Sequence, residues 1–236
     1  MASSNIIYTC ITGGKDKLCE DINTDGALAV CFTDNPKLKS KVWEIRLIPN
    51  LFKDIRRDSR VVKMLPHIYF PEAEYSLYLD ANIISKVPIK RLIKEWLQDT
   101  DIAVFAHNTR DCLFDEANEC ILLELDSKQA IESHIMRYKG FSKHKGLYQG
   151  GVILRRHTDK IKRLNEMWWS EYCTGCKRDQ ISLPYCIEKL GVPINSIKGH
   201  AWTHPYFEMF NHKKLSEWAL KLDTNGKYNG TIQEGK

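Results

Sequence analysis

Short apolar runs recur along this chain, and each stops abruptly at a glycine, a carboxylate or an amide. Residues 5–12 run into Gly13-Gly14, 27–33 into Asp34-Asn35-Pro36, and 75–79 into Asp80-Ala81-Asn82. Runs of this length, rich in Ile, Val and Tyr and bounded by turn residues, read as buried strands. Further strands are expected at 42–48, 101–106 and 150–154. Between them lie stretches with helical spacing. In 54–65, Ile55, Val61, Val62 and Leu65 are apolar with basic residues between, and Pro66 closes the segment. Pro88 suits the start of a helix through Gln98, whose apolar stripe is Ile89, Leu92, Ile93, Trp96 and Leu97. Helices are also expected over 127–138, with Ser127 as N-cap, over 158–172, and over 179–190, ended by Gly191 and Pro193. Strands that alternate with helices place the chain in the α/β class, with a largely parallel sheet flanked by helices.

The 236 residues suffice for one domain with a sizeable core. We expect that domain to occupy 1–222 and a polar tail, rich in Asn, Gly and Lys, to occupy 223–236. Basic residues exceed acidic ones by five, but they are scattered. Groups such as Lys37, Lys39 and Lys41 read as solvated faces rather than a nucleic-acid stripe. A mild positive field suits an anionic small molecule such as a nucleotide. Of eight cysteines, only Cys173 and Cys176 have metal or redox spacing, and no second pair accompanies them. A chain this long and apolar needs no disulfide framework, which implies a reducing compartment. The first ten residues lack a secretory pattern, and no apolar run approaches a membrane span. The expectation is a soluble cytoplasmic protein.

Chemistry is expected where strands end, because ligands of open α/β sheets bind beyond the carboxyl ends of the strands. Asp80 and Asn82 present hard oxygens suited to Mg²⁺ or Mn²⁺ held against a diphosphate; a polar turn after a strand reads the same way. Asn82 contributes no charge, so a cation there needs a third ligand, and His200 or His204 in the aromatic-rich segment 200–212 are candidates. Each of these is equally a half-exposed loop histidine, as is His212. Gly13 and Gly14 allow close backbone approach but match neither a dinucleotide fingerprint nor a P-loop. Arg56, Arg60 and Lys63 share a helix face that either reaches a phosphate or is simply solvated. Gly150 and Gly151 before a strand leave room for a ligand or mark a bulge. Asp179 either caps a helix or points a carboxylate at a reacting centre.

These blocks, in this order, resemble a known family. The first strand runs into Thr12-Gly13-Gly14. Then come Arg60-x-x-Lys63-x-x-Pro66-His67-x-x-Phe70-Pro71 and Tyr75 to Asn82, then Phe105 to Arg110, Gly150 to His157, and Arg178-Asp179-Gln180-Ile181-Ser182. Together they are similar to the TOD1/MUCI70 glycosyltransferase-like domain (DUF616), over roughly residues 5–210. A domain of the same kind stands at the N-terminus of a chlorovirus multidomain glycosyltransferase. The resemblance implies a single GT-A-like (Rossmann-like) domain, a nucleotide-sugar donor (UDP-linked), a glycan or glycoconjugate acceptor, and Mn²⁺ or Mg²⁺. It implies nucleoside contacts from Tyr8, Thr9 and Thr12, and donor contacts from Arg60, Lys63, Asp80 and Gln180. Gly150 and Gly151 would line the sugar cleft, Asp80, Asn82, His200 and His204 would hold the metal, and Asp179 would be the catalytic carboxylate. Asn82 departs from the family's two-carboxylate pattern. Two rivals share the fold: a sugar nucleotidyltransferase, which needs more than the stub Gly13-Gly14-Lys15, and a nucleotide-sugar or glycan-binding domain without turnover.

Overall fold

The computed structural model describes residues 4–14 and 16–210. Lys15, His212 and the expected tail 223–236 lie outside the described residues, as does the C-terminal limit of the expected domain.

Seven strands form the main sheet, in the order β3-β2-β1-β4-β7-β6-β8. They are β1 (Asn5–Ile11), β2 (Leu28–Thr33), β3 (Glu44–Leu47), β4 (Tyr75–Leu79), β6 (Ile102–Ala106), β7 (Tyr148–Arg156) and β8 (Asn195–Ile197). Only β7 runs against its neighbours β4 and β6; every other pairing is parallel. A separate antiparallel pair joins β5 (Ile83–Ser85) to β9 (Phe207–Met209). This is the mixed, mainly parallel sheet expected from the strand–helix alternation.

Side chains alternate across each strand, so the sheet buries two cores. Ile6, Tyr8, Val30, Tyr78 and Ile153 pack beneath α1 (Ile55–Met64), α6 (Asp159–Thr174) and α7 (Asp179–Leu190), through Val62, Trp168 and Leu183. Ile7, Leu77, Leu79, Val152 and Leu154 face the other way, onto α3 (Ile89–Trp96) and the small β5–β9 sheet. A third core joins α4 (Leu113–Leu122), α5 (Lys128–Met136) and α7 through Leu113, Ala117, Ile131 and Ile181. Asp54 caps α1 by accepting from Arg56 N and Arg57 N, and Ser127 caps α5 at Ala130 N as anticipated. Pro66 does more than stop α1, since it begins the one-turn helix α2 (Pro66–Tyr69).

The strand order reverses between β1 and β4, because β2 and β3 lie on one side of β1 and all later strands on the other. Such a switch point opens a crevice at the carboxyl ends of the strands. The β1 end, with Gly13 and Gly14 at positive φ, and the β4 end, with Asp80, flank this crevice. Because β7 is reversed, its beginning, Tyr148 to Gly151, arrives at the same edge.

Candidate active site

Asp80 leaves β4 with its main-chain N–H donating to Gly151 O at 2.8 Å. Its Oδ1 accepts from the Tyr78 hydroxyl at 2.9 Å. Among the described residues no basic side chain forms an ion pair with it, although Arg60 and Lys63 lie within electrostatic range.

A second carboxylate sits on the helical side of the crevice. Asp179 is the first residue of α7, yet it does not cap that helix; Arg178 occupies the cap position and no side chain closes it. The Asp179 carboxylate instead forms a short ion pair with Lys63 Nζ and lies 3.2 Å from Arg60 Nε. Trp168 Nε1 fixes the same turn by donating to Asp179 O at 2.9 Å. Only 5% of Asp179 and 2% of Lys63 is exposed, so this is a buried pair. Burial alone would raise the Asp179 pKa, but Lys63 and then Arg60 outweigh it and hold the carboxyl well below the usual range. Burial pulls the Lys63 ammonium down, with Asp179 opposing.

Two glycines stand between the carboxylates. Along β6 and β7, Val104 pairs with Ile153 but Ala106 pairs with Tyr148, so β7 bulges at Gln149, Gly150 and Gly151. A Cβ on Gly150 would collide with Lys63 Nζ and lie 3.3 Å from Asp179 Oδ2. A Cβ on Gly151 would lie 3.1 Å from Asp80 Oδ2. Contact with neighbouring side chains, rather than backbone angle, therefore restricts both positions, Gly150 more tightly than Gly151. Gln180 Nε2 donates to Tyr148 O at 3.1 Å, so it anchors the bulge to α7. The structure thus brings together Arg60, Lys63, Asp80, Gly150, Gly151, Asp179 and Gln180.

Other expected site residues go elsewhere. Tyr8 is fully buried in β1, and its hydroxyl donates to Lys63 O at 2.9 Å while accepting from Arg155 Nη1 at 2.9 Å. It cannot touch a nucleoside in this conformation; it supports the α1 turn that carries Lys63. Thr9 is 1% exposed and also internal. Thr12 is nearer the edge, but its Oγ1 donates to Ile55 O at 2.7 Å. Of the basic helix face, only Arg60 and Lys63 reach the site, while Arg56 donates to Leu125 O and Arg57 to Cys173 O.

The expected metal set is not assembled either. Among the described residues no three His, Cys, Asp or Glu side chains converge on a point that holds a metal ion. Asn82 is buried, and its main-chain carbonyl accepts from Phe210 N at 2.7 Å. His204 is packed among the rings of Trp96, Phe105, Tyr206 and Phe207, with Nδ1 accepting from Tyr206 N at 3.3 Å. His200 is held by Asn108 Nδ2. Gln149 Nε2 donates to Asn108 Oδ1 at 3.0 Å, which orients the Asn108 amide and makes His200 Nδ1 the acceptor. The His200 proton then sits on Nε2, and burial pushes its pKa down to about 4. Among the described residues, what remains for a cation is Asp80, a carboxylate at the crevice edge with no ion-pair partner there. That donor set fits a hard ion which takes most of its ligands from phosphate and water.

The residues that sequence reasoning passed over are Tyr78, Gln149, Arg155 and Trp168. Tyr78 and Arg155 fall inside the recognised blocks and Gln149 adjoins the Gly150-Gly151 pair, whereas nothing local marks Trp168. A cleft of about 740 Å³, lined by Asp54, Arg56, Lys128 and Lys177 among others, opens beside α1 and α5 and takes in, of the candidate residues, Arg56 alone.

A sequence profile of the TOD1/MUCI70 glycosyltransferase-like domain matches residues 31–220. The chain belongs to the TOD1/MUCI70 family. The match takes in Arg60, Lys63, Asp80, both glycines and Asp179, while Tyr8, Thr9 and Thr12 precede it. A relative from Arabidopsis thaliana, the probable hexosyltransferase MUCI70, is 27% identical over 178 residues. That alignment covers 66% of this chain and 29% of the relative, so the chain spans under a third of the MUCI70 protein. Among solved structures, the bifunctional glycosyltransferase WbbM in its apo form aligns with a TM-score of 0.47 and 11% identity. It covers 83% of this chain and 38% of WbbM, a likeness too distant to bear on function. Among the described residues no helix of this TOD1/MUCI70 domain is long and apolar enough to cross a membrane.

Proposed function

We propose that this domain is a hexosyl- or deoxyhexosyl-transferase that takes its sugar from a nucleoside diphosphate, UDP-linked, and delivers it to a hydroxyl of a glycan or glycoconjugate. The observation that carries the proposal is the meeting of two differently treated carboxylates across Gly150-Gly151 at the switch-point crevice. Among the described residues Asp80 forms no ion pair, whereas Asp179 is locked to two cations. In this reading the donor lies along the strand ends. Its diphosphate is beside Asp80, and its sugar is beside the glycine bulge that Lys63 and Asp179 line.

Breaking the bond between the anomeric carbon and the diphosphate leaves positive charge on the sugar and negative charge on the leaving group. Asp179, held ionised, opposes the first. Its low basicity makes it an electrostatic partner rather than a proton acceptor, since a general base works best with a pKa near the working pH. Arg60, whose side chain is 29% exposed, is the cation best placed to reach the second. Asp80 would hold Mg²⁺ or Mn²⁺, which when bound adds positive charge against the diphosphate.

The test is calorimetric titration of UDP and UDP-hexoses into the purified domain with Mn²⁺, run alongside an assay for UDP release. Binding with release is expected. Binding without release or transfer would identify a silent nucleotide-sugar-binding domain, and neither binding nor release would end the proposal.

A further inference from the structure

Along the crevice edge the strands follow in the order β1, β4, β7, β6. Three inter-strand steps separate β1 from β6, about 14 Å. If the donor occupies the edge from β1 to the β7 glycines, as proposed above, the next position is the end of β6. His107 and Asn108 emerge there, and the loop from 198 to 206 folds against them. Gln149, the neighbour of Gly150, ties this corner together: the two N–H groups of its Nε2 are shared among Asn108 Oδ1 and Gly199 O, each at 3.0 Å, and Ala106 O. Asn108 in turn holds His200. The imidazole of His200 stacks on the indole of Trp202 with ring centroids 4.0 Å apart and planes inclined by 29°.

Trp202 therefore has one face backed by a ring that is itself pinned to the catalytic bulge, and it keeps 41% of its surface exposed. A single exposed apolar side chain is unremarkable on a protein surface. A tryptophan held rigidly by a chain of hydrogen-bonded residues that begins beside Gly150 is different, because ordering it serves no core. An aromatic face with a fixed orientation suits the apolar C–H face of a pyranose ring, while the surrounding amides suit its hydroxyls. We infer that Trp202, backed by His200, is the platform on which the acceptor sugar lies, one strand beyond the donor.

This inference rests on the glycosyltransferase reading, and the experiment separates the two. The probes are the methyl glycosides of glucose, galactose, mannose, rhamnose and xylose. They are added to ¹⁵N-labelled protein while the indole N–H signals are followed by NMR; Trp202→Phe assigns the Trp202 signal. The expected result is a saturable shift of that signal with at least one glycoside. With a glycan that the wild type modifies, Trp202→Ala should raise the half-saturating acceptor concentration about tenfold, Trp202→Phe much less. Acceptor-free hydrolysis of the UDP-sugar should stay within about twofold in both variants. No shift of the Trp202 signal with any glycoside overturns the platform whatever the enzyme turns over. Unchanged acceptor saturation in Trp202→Ala also overturns it, with normal hydrolysis leaving the glycosyltransferase reading intact.

Discussion

Replacing Lys63 with methionine keeps the length of a buried side chain and removes its charge. Asp179 is then left 5% exposed with its nearest partner gone. Removing one member of a buried ion pair costs about 3–5 kcal/mol, because the other charge remains desolvated. Arg60 stays 3.2 Å from the same carboxylate, which places the expected loss near the lower end, about 3 kcal/mol. A domain of this size then melts about 6–12 °C lower. Asp179→Asn alone leaves Lys63 buried without its counter-charge and is expected to cost a comparable amount. The double variant removes both charges, so its loss should fall short of the sum of the singles by about 1–3 kcal/mol. Urea unfolding of the four proteins, with equal denaturant slopes, measures this coupling. Strictly additive losses would mean that the two residues do not sense each other, and the buried pair at the centre of the site would be refuted.

Other consequences follow from the same geometry. The folded-state pKa of Asp179 is depressed, so its contribution to stability is present above the unfolded carboxylate range near pH ~4 and is lost as pH falls toward the folded value. Acid unfolding should therefore be less steep in Asp179→Asn than in the wild type, and identical acid limbs would contradict the shift. Gly150→Ala places a methyl group against the Lys63 ammonium, which Asp179 prevents from retreating. It should cost about 1–3 kcal/mol in thermal unfolding and cut turnover at least tenfold, whereas a neutral substitution would show that the bulge has room to spare. Chelation by EDTA should suppress UDP-sugar turnover, with Mn²⁺ or Mg²⁺ restoring it. Asp80→Asn should raise the metal concentration needed for half-restoration, and full activity in EDTA would remove the cation from Asp80.

Much of the fold is legible in the chain because its strands end sharply. Runs closed by Gly13, Asp34 and Asp80 mark β1, β2 and β4, and the capping residues Ser127 and Asp54 mark helix starts. Helix α4 is not anticipated: Cys112 stands at its cap and makes no side-chain hydrogen bond, so the start carries no signal. The three-residue strands β5, β8 and β9 are too short to show alternation. At the site, Asp80, Asp179 and the glycines are visible as chemistry-bearing residues at element ends. Tyr8 is misplaced because a tyrosine in a strand looks alike whether it faces a ligand or the core, and β1 is buried on both faces, so alternation does not tell the two apart. Whether Asp179 caps a helix or binds cations is decided by Lys63, which arrives from a distant helix. The three-way amide of Gln149 and the stacked His200–Trp202 pair likewise exist only once β6, β7 and the 198–206 loop have met.

The account stands most directly on whether this crevice breaks the bond between a sugar and a nucleoside diphosphate. Purified wild-type domain, Asp80→Asn and Asp179→Asn should be incubated with Mn²⁺ and a panel of UDP-hexoses and UDP-deoxyhexoses, and UDP release followed over time. The wild type is expected to release UDP from at least one donor, and both folded variants to be slower by at least about tenfold. Absence of release from every donor, or wild-type rates in both variants, would contradict it.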